Sequence, residues 1–123
     1  MKDETTAQGA APQAPGLDQV HALVNDFARL VRDHFGKRVR DVWLYGSAAR
    51  GDWTSDSDID VLVILHNEEQ GDIEWLVETA YRKGLSEHHL LLQPVLLTTK
   101  EVDHLAARER RFARDVLREG IAA

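Results

Sequence analysis

Between Leu17 and Phe35 the apolar residues Val20, Leu23, Val24, Phe27, Leu30, Val31 and Phe35 recur at three- and four-residue steps. A helix gathers such positions onto one face, so the pattern predicts an amphipathic helix. Asp18 suits its N-cap or first turn, and Gly36 the residue just past its end. After Lys37-Arg38 the period changes. Val39 to Tyr45 reads as a strand broken by Gly46, and Ser47 to Arg50 has room for a short helix. Gly51 to Ser57 concentrates Gly, Asp, Thr and Ser, the signature of a loop. Ile59 to Leu65 is an almost continuous apolar run, as expected of a strand covered on both faces.

His66 to Gly71 is polar and turn-like. Asp72 to Lys83 reads as a helix with Ile73, Leu76, Val77, Ala80 and Tyr81 on one side and Gly84 ending it. Leu90 to Leu97 is a third apolar strand. Pro94 lacks an amide hydrogen, so this strand belongs at an edge or carries a bulge. Thr98 and Glu101 have the spacing of a capping box. They open a last helix that reaches about Glu119, with Val102, Leu105, Ala106, Phe112, Val116 and Leu117 apolar and Gly120 past its end. The order of elements predicts an α/β (α+β) fold, a small mixed sheet of three to four strands flanked by helices. Residues 1–16 hold no large apolar group after Met1 and cannot offset the entropy of ordering. They are expected to be a disordered tail, with 17–123 as one domain.

Composition narrows the function. A chain of 123 residues fits one domain, and no apolar run approaches the roughly 20 residues of a membrane span. No basic and apolar leader opens the chain, and cysteine is absent. Disulfides and thiolate metal sites are therefore excluded, and a cytoplasmic location is the expectation. A formal net charge of −6 argues against a protein whose main task is gripping nucleic acid. Part of that charge is local: Asp52, Asp56, Asp58 and Asp60 lie within nine residues.

Those aspartates change the reading of the central stretch. Side chains alternate along a strand, so Asp58 and Asp60 share a face at the mouth of the second strand. Two carboxylates on one face repel unless a cation lies between them. Their hard oxygens suit Mg²⁺, which usually brings a phosphate with it. Upstream, Gly46 permits close backbone approach to a ligand, and Ser47 opens a short helix whose free amides and hydroxyl attract anions. A plain strand-to-helix turn capped by Ser47 is the simpler reading of Gly-Ser alone, and a solvated acidic loop that of the aspartates. Three other motifs fail. The sixth and twelfth positions of a calcium loop would be Val61 and Asn67, there is no Gly-Lys-Ser/Thr, and Ser47 lacks the second glycine of a nucleophile elbow.

Gly46-Ser47, ten residues, then Asp58-Ile59-Asp60 is the spacing that remains. With its flanks, Tyr45-Gly46-Ser47-Ala48-Ala49-Arg50-Gly51 and Ser57-Asp58-Ile59-Asp60-Val61-Leu62-Val63, it resembles the DNA polymerase β-like nucleotidyltransferase superfamily. More narrowly, it resembles the minimal nucleotidyltransferases with their Gly-Ser-x10-Asp-x-Asp signature. The resemblance implies that Gly46 and Ser47 hold the outer phosphates of ATP and that Arg50 neutralises them. It implies that Asp58 and Asp60 bind two Mg²⁺ ions as the catalytic pair. It further implies transfer of AMP to a hydroxyl of a protein partner. In this family that partner is commonly a HEPN-domain toxin, against which the small protein acts as antitoxin. Homo-oligomers are a further partner reading.

One departure stands out. More active relatives carry a third carboxylate on the next strand, where Leu90-Leu91-Leu92-Gln93-Pro94-Val95-Leu96-Leu97 has none. Gln93 ligates weakly and cannot take a proton, and Glu87 lies just before the strand as a substitute. The alternative function is therefore a catalytically weak binding module that neutralises or senses a partner stoichiometrically. An aminoglycoside-type transferase would need a further helical domain. Trp53 lies in the central loop and could stack on a nucleotide, whereas Trp43 and Trp75 read as packing residues. His66, His88 and His89 lack the spacing of a metal pair and read as loop residues. The arginines of the last helix alternate with acids and read as a solvated face or a docking surface.

Overall fold

The computed structural model describes residues 16–46, 58–108 (side chains to residue 104) and 120–123. The first apolar stripe forms α1, Leu17–Phe35. Val20, Leu23, Val24, Phe27, Ala28, Val31 and Phe35 are buried along one face. Asp18 lies in the first turn, while Gly16 holds the N-cap position. The Gly16 amide donates to Gln19 Oε1 at 3.2 Å. At the other end Gly36 adopts φ 58°, a left-handed value that a glycine reaches at little cost. A 3₁₀ turn, Gly36–Arg38, then delivers the chain into β1, Val39–Tyr45.

The sheet is mixed and four-stranded. β1 pairs antiparallel with β2 (Ile59–Leu65), and β2 pairs parallel with β3 (Leu92–Thr98). A two-residue β4, Ile121–Ala122, pairs antiparallel with β1 on its other side. The spatial order is β3-β2-β1-β4. Pro94 thus lies on an edge strand. The Leu91 carbonyl accepts from the Ile59 amide at 2.9 Å, so odd-numbered residues there bond inward. Backbone groups of one residue in a parallel pair point the same way, so Pro94 faces the open edge, where no amide is needed. β4 is too short and too exposed to leave a period in the sequence.

β2 is central, and its two faces pack differently. Ile59, Val61, Val63 and Leu65 join Val42 and Leu44 under α1 and α2 (Asp72–Tyr81), which contributes Leu76 and Ala80. On the reverse face Leu62 and Ile64 pack with Trp43, Tyr45, Leu97 and Val102. Val102 comes from α3, Thr99–Arg108. The capping box forms as expected: the Thr98 amide donates to Glu101 Oε1 at 2.9 Å, and the Glu101 amide to Thr98 Oγ1 at 3.2 Å.

Two expectations for α2 are corrected. Its apolar side is split. Leu76 and Ala80 are buried, but Ile73, Val77 and Tyr81 face solvent. Nor does Gly84 end the helix, which continues as a wider π turn, Arg82–Ser86. Gly84 is needed for contact instead: a Cβ there would lie 2.5 Å from the Leu90 carbonyl oxygen. The third strand starts at Leu92 rather than Leu90, because Leu90 is buried outside the ladder. The start of α2 is tied to the 3₁₀ turn that precedes β1. Arg38 donates to Asp72 Oδ2 at 2.8 Å and Oδ1 at 3.1 Å, and the Glu69 amide donates to Asp72 Oδ2 at 2.7 Å. The expected tail (1–16) falls outside the described residues except for Gly16. The short helix Ser47–Arg50, the loop to Ser57 and the last helix beyond Arg108 lie outside them too.

Candidate active site

β1 and β2 run antiparallel, so the end of one meets the beginning of the other. Tyr45 is the cross-strand partner of Asp60. The next residue, Gly46, turns the chain with φ 77°. An added Cβ at Gly46 would lie 2.5 Å from Asp60 Oδ2 and 3.4 Å from its carboxyl carbon. Glycine is thus required twice, by the left-handed backbone and by the carboxylate packed against it. The two halves of the motif, separated by ten residues in sequence, meet here. Asp58 is exposed just before β2, and Asp60 is half-buried one residue inside it.

Alternation puts Asp60 on the reverse face of β2, in line with Leu62 and Ile64. Further along, that face is covered by Leu97 and Val102, whereas Asp60 keeps partial exposure. Tyr45 lies on the same face of β1. Burial pushes the Tyr45 hydroxyl above its ordinary pKa, and the Asp60 charge adds to the rise. Both effects keep it protonated. Tyr45 is the residue that sequence reasoning missed at this site. The signal was present, since an antiparallel pairing of the two strands through Gly46 must set Tyr45 beside Asp60.

On the other side of β2, Gln93 is the register partner of Asp60. The parallel ladder puts the glutamine on the strand position beside the carboxylate. Its exposed amide is neutral where an acid would complete a three-carboxylate group. Glu87 is committed elsewhere, its Oε1 accepting from Lys83 Nζ at 2.9 Å. Among the described residues no cluster of three or more His, Asp or Glu side chains has metal-binding geometry. Ser47, Arg50 and Trp53 lie outside the described residues. Of the predicted site residues, Gly46, Asp60 and Gln93 are thus brought together, with Asp58 at the strand entrance.

The remaining aromatic and histidine residues behave as packing and loop groups. Trp75 stacks on His34 at 3.9 Å and meets Phe35 edge-on at 5.3 Å. Trp43 packs against Leu62 and Ile64. His66 Nδ1 lies 3.4 Å from Thr99 Oγ1.

Comparison with known proteins agrees with this geometry. Two relatives from Methanocaldococcus jannaschii are named "Putative protein adenylyltransferase", MJ0604 and MJ1305. The first is 33% identical over 52 residues, covering 42% of this chain and 46% of the relative. The second is 29% identical over 90 residues, covering 68% of this chain and 61% of the relative. The matches therefore span about half to three-fifths of those relatives. Among solved structures, a toxin-antitoxin crystallised with AMP-PNP superposes with a TM-score of 0.53 at 18% identity. It covers 79% of this chain and 69% of that one. A mutant of the toxin-antitoxin MntA-HpeT gives 0.50 at 16% identity, covering 88% and 72%. At these identities the likeness establishes the fold. The family model described as "Nucleotidyltransferase domain" matches residues 24–118, from the middle of α1 to near the C-terminus, and the chain belongs to that family.

Proposed function

We propose that this protein transfers AMP from ATP to a hydroxyl of a protein partner, and that it does so as the antitoxin of a HEPN-type toxin. The observation that carries the reading is the meeting of Gly46 and Asp60, which unites the phosphate-binding and carboxylate halves of one motif. The names of the two archaeal relatives point to a protein acceptor and an adenylyl group. The two toxin-antitoxin neighbours, one crystallised with AMP-PNP, are consistent with the same role.

The donor set suits Mg²⁺. Asp58 and Asp60 offer hard carboxylate oxygens, and Mg²⁺ is commonly held by one or two carboxylates plus substrate phosphates. When bound, the metal supplies charge neutralisation and lowers the pKa of the attacking hydroxyl. The chain does the rest. Gly46 would bring its backbone to the triphosphate close beside the Asp60 carboxylate, Ser47 would donate to it, and Arg50 would offset its charge. The acceptor oxygen then bonds to the α-phosphorus as pyrophosphate departs in line. Gln93 cannot take the acceptor proton, which passes to a base on the acceptor or to water.

A second reading has its own support. The neutral Gln93 beside Asp60 weakens metal binding and favours a slow or silent relative that neutralises its partner by binding alone. Labelled ATP, Mg²⁺ and the product of the neighbouring gene separate the two readings. Label on the partner, lost in Asp58→Asn and Asp60→Asn, is the result expected. Neutralisation that survives both substitutions without label transfer would establish the binding module instead.

A further inference from the structure

The exposed side of α2 is apolar where a surface helix is normally polar. Ile73, Val77 and Tyr81 occur at four-residue steps, so they form one row along the helix. Val77 is 53% exposed and Tyr81 60%. Leu85, one four-residue step further, is also exposed, and a groove beside Val77 and Tyr81 is floored by Leu91 and by Val95 of the edge strand. A contiguous apolar patch of this kind, with a charged margin, marks an interaction surface.

The margin indicates the occupant. Glu74, Glu78 and Arg82 form the adjacent row, again at four-residue steps. Among the described residues none of the three has an ion pair, unlike Lys83, which is held by Glu87. Acid towards the start of the row and base at its end is a self-complementary arrangement. In two antiparallel copies of α2, related by a two-fold axis near Val77, Ile73 meets the partner's Tyr81. Val77 meets its own copy, Glu74 of each helix faces Arg82 of the other, and the two Glu78 residues lie near the axis within reach of those same arginines. An isologous interface needs this reciprocity. Pairing through the sheet edge is the poorer route, because Pro94 removes an amide from the middle of the open side of β3.

We infer that the Ile73–Val77–Tyr81 row and its Glu74/Arg82 margin form a dimer interface with a second copy of this chain, helix α2 against helix α2. The inference does not depend on the transfer activity.

Sedimentation of the full chain across a wide concentration range tests it. The expected result is a reversible monomer–dimer equilibrium. Val77→Glu raises the dissociation constant about tenfold or more, because it places two carboxylates on the axis. Arg82→Glu also weakens the dimer, and the charge swap Glu74→Arg with Arg82→Glu restores it. All of these positions are exposed, so circular dichroism is expected to show wild-type folding in each variant. A wild-type chain that stays monomeric at the highest concentration overturns the inference. So does a dimer indifferent to Val77→Glu, or one that the charge swap does not recover from Arg82→Glu.

Discussion

The two faces of β2 divide the labour of this molecule. On one face Ile59, Val61, Val63 and Leu65 are fully buried under α1 and α2. On the other, Leu62 and Ile64 make a second cluster among the described residues, and Asp60, partly exposed, stands at the start of the same row. Successive residues of one strand thus alternate between the buried core and the candidate site. The difference teaches that a carboxylate can sit within a core strand without entering the core, provided that the pleat aims it away from the face that α1 and α2 bury. A change on one face should accordingly leave the property of the other intact.

Asp60→Asn is the sharpest test of that separation. Transfer is expected to fall about a thousandfold or more, equivalent to some 4 kcal/mol of transition-state stabilisation. The melting temperature should stay close to wild type. Paired label-transfer and melting measurements decide it, and a large loss of stability would mean that the two faces are coupled.

Leu65→Ala probes the opposite face. Removing a fully buried Leu leaves a cavity and is expected to cost about 3 kcal/mol of unfolding free energy. Residual folded protein should retain its transfer rate. Denaturant unfolding read beside activity would expose any leakage between the faces.

Asp72 is a buried charged residue at the start of α2, and it behaves as structure. The Arg38 guanidinium holds its carboxyl below the usual carboxylate range, the Glu69 amide acts in the same direction, and burial opposes both. A lowered folded-state pKa means that the clamp stabilises the fold fully above the unfolded carboxyl value of about 4. That stabilisation is lost as pH falls through the lowered pKa. Asp72→Asn should cost about 2–3 kcal/mol at neutral pH by leaving Arg38 poorly paired. Stability of the variant should also flatten against pH in the acid range, which thermal melts from pH 7 downward would register.

Gly46→Ala is predicted to cost about 1–2 kcal/mol, since the left-handed backbone disfavours a Cβ. The added methyl also displaces the Asp60 carboxylate, so transfer should fall further than stability does. Gln93→Asp has the smallest expected effect on folding, within about 0.5 kcal/mol at an exposed position. It places a third acid beside Asp60 and should enlarge the thermal shift produced by Mg²⁺. A Mg²⁺ response equal to wild type would remove position 93 from the metal site.

Much of this arrangement was legible in the amino-acid pattern. The stripe of α1, the strands Val39–Tyr45 and Ile59–Leu65 and the Thr98–Glu101 cap have strong local periods or pairings, and local signals survive folding. The fold class followed from the order of those elements. Pro94 announced an edge or a bulge, and the strand is an edge, because its missing amide hydrogen is a property of the residue itself. The motif from Gly46 to Asp60 pointed to the nucleotidyltransferase family, because its residue types and spacing are read directly along the chain.

The failures lie where long-range packing overrides a local rule. Gly84 has the composition of a helix end, yet it is kept inside a π turn by the backbone at Leu90. Ile73, Val77 and Tyr81 have the period of a core stripe. The packing of α2 instead buries the neighbouring positions Leu76, Thr79 and Ala80. Periodicity says which residues share a face and not how much of that face a partner element covers. The pairing of Arg38 with Asp72 spans 34 residues and leaves no trace in either neighbourhood.

By itself, then, the sequence determined the elements, the class of fold and the Gly-Ser and Asp-x-Asp pair, because each rests on residues close together in the chain. Only the tertiary structure decided that Gly46 must lack a Cβ for the sake of Asp60, and that Tyr45 and Gln93 flank that carboxylate on either side. Strand register creates those neighbours, and register is fixed by the whole buried face of the sheet rather than by any residue in the site.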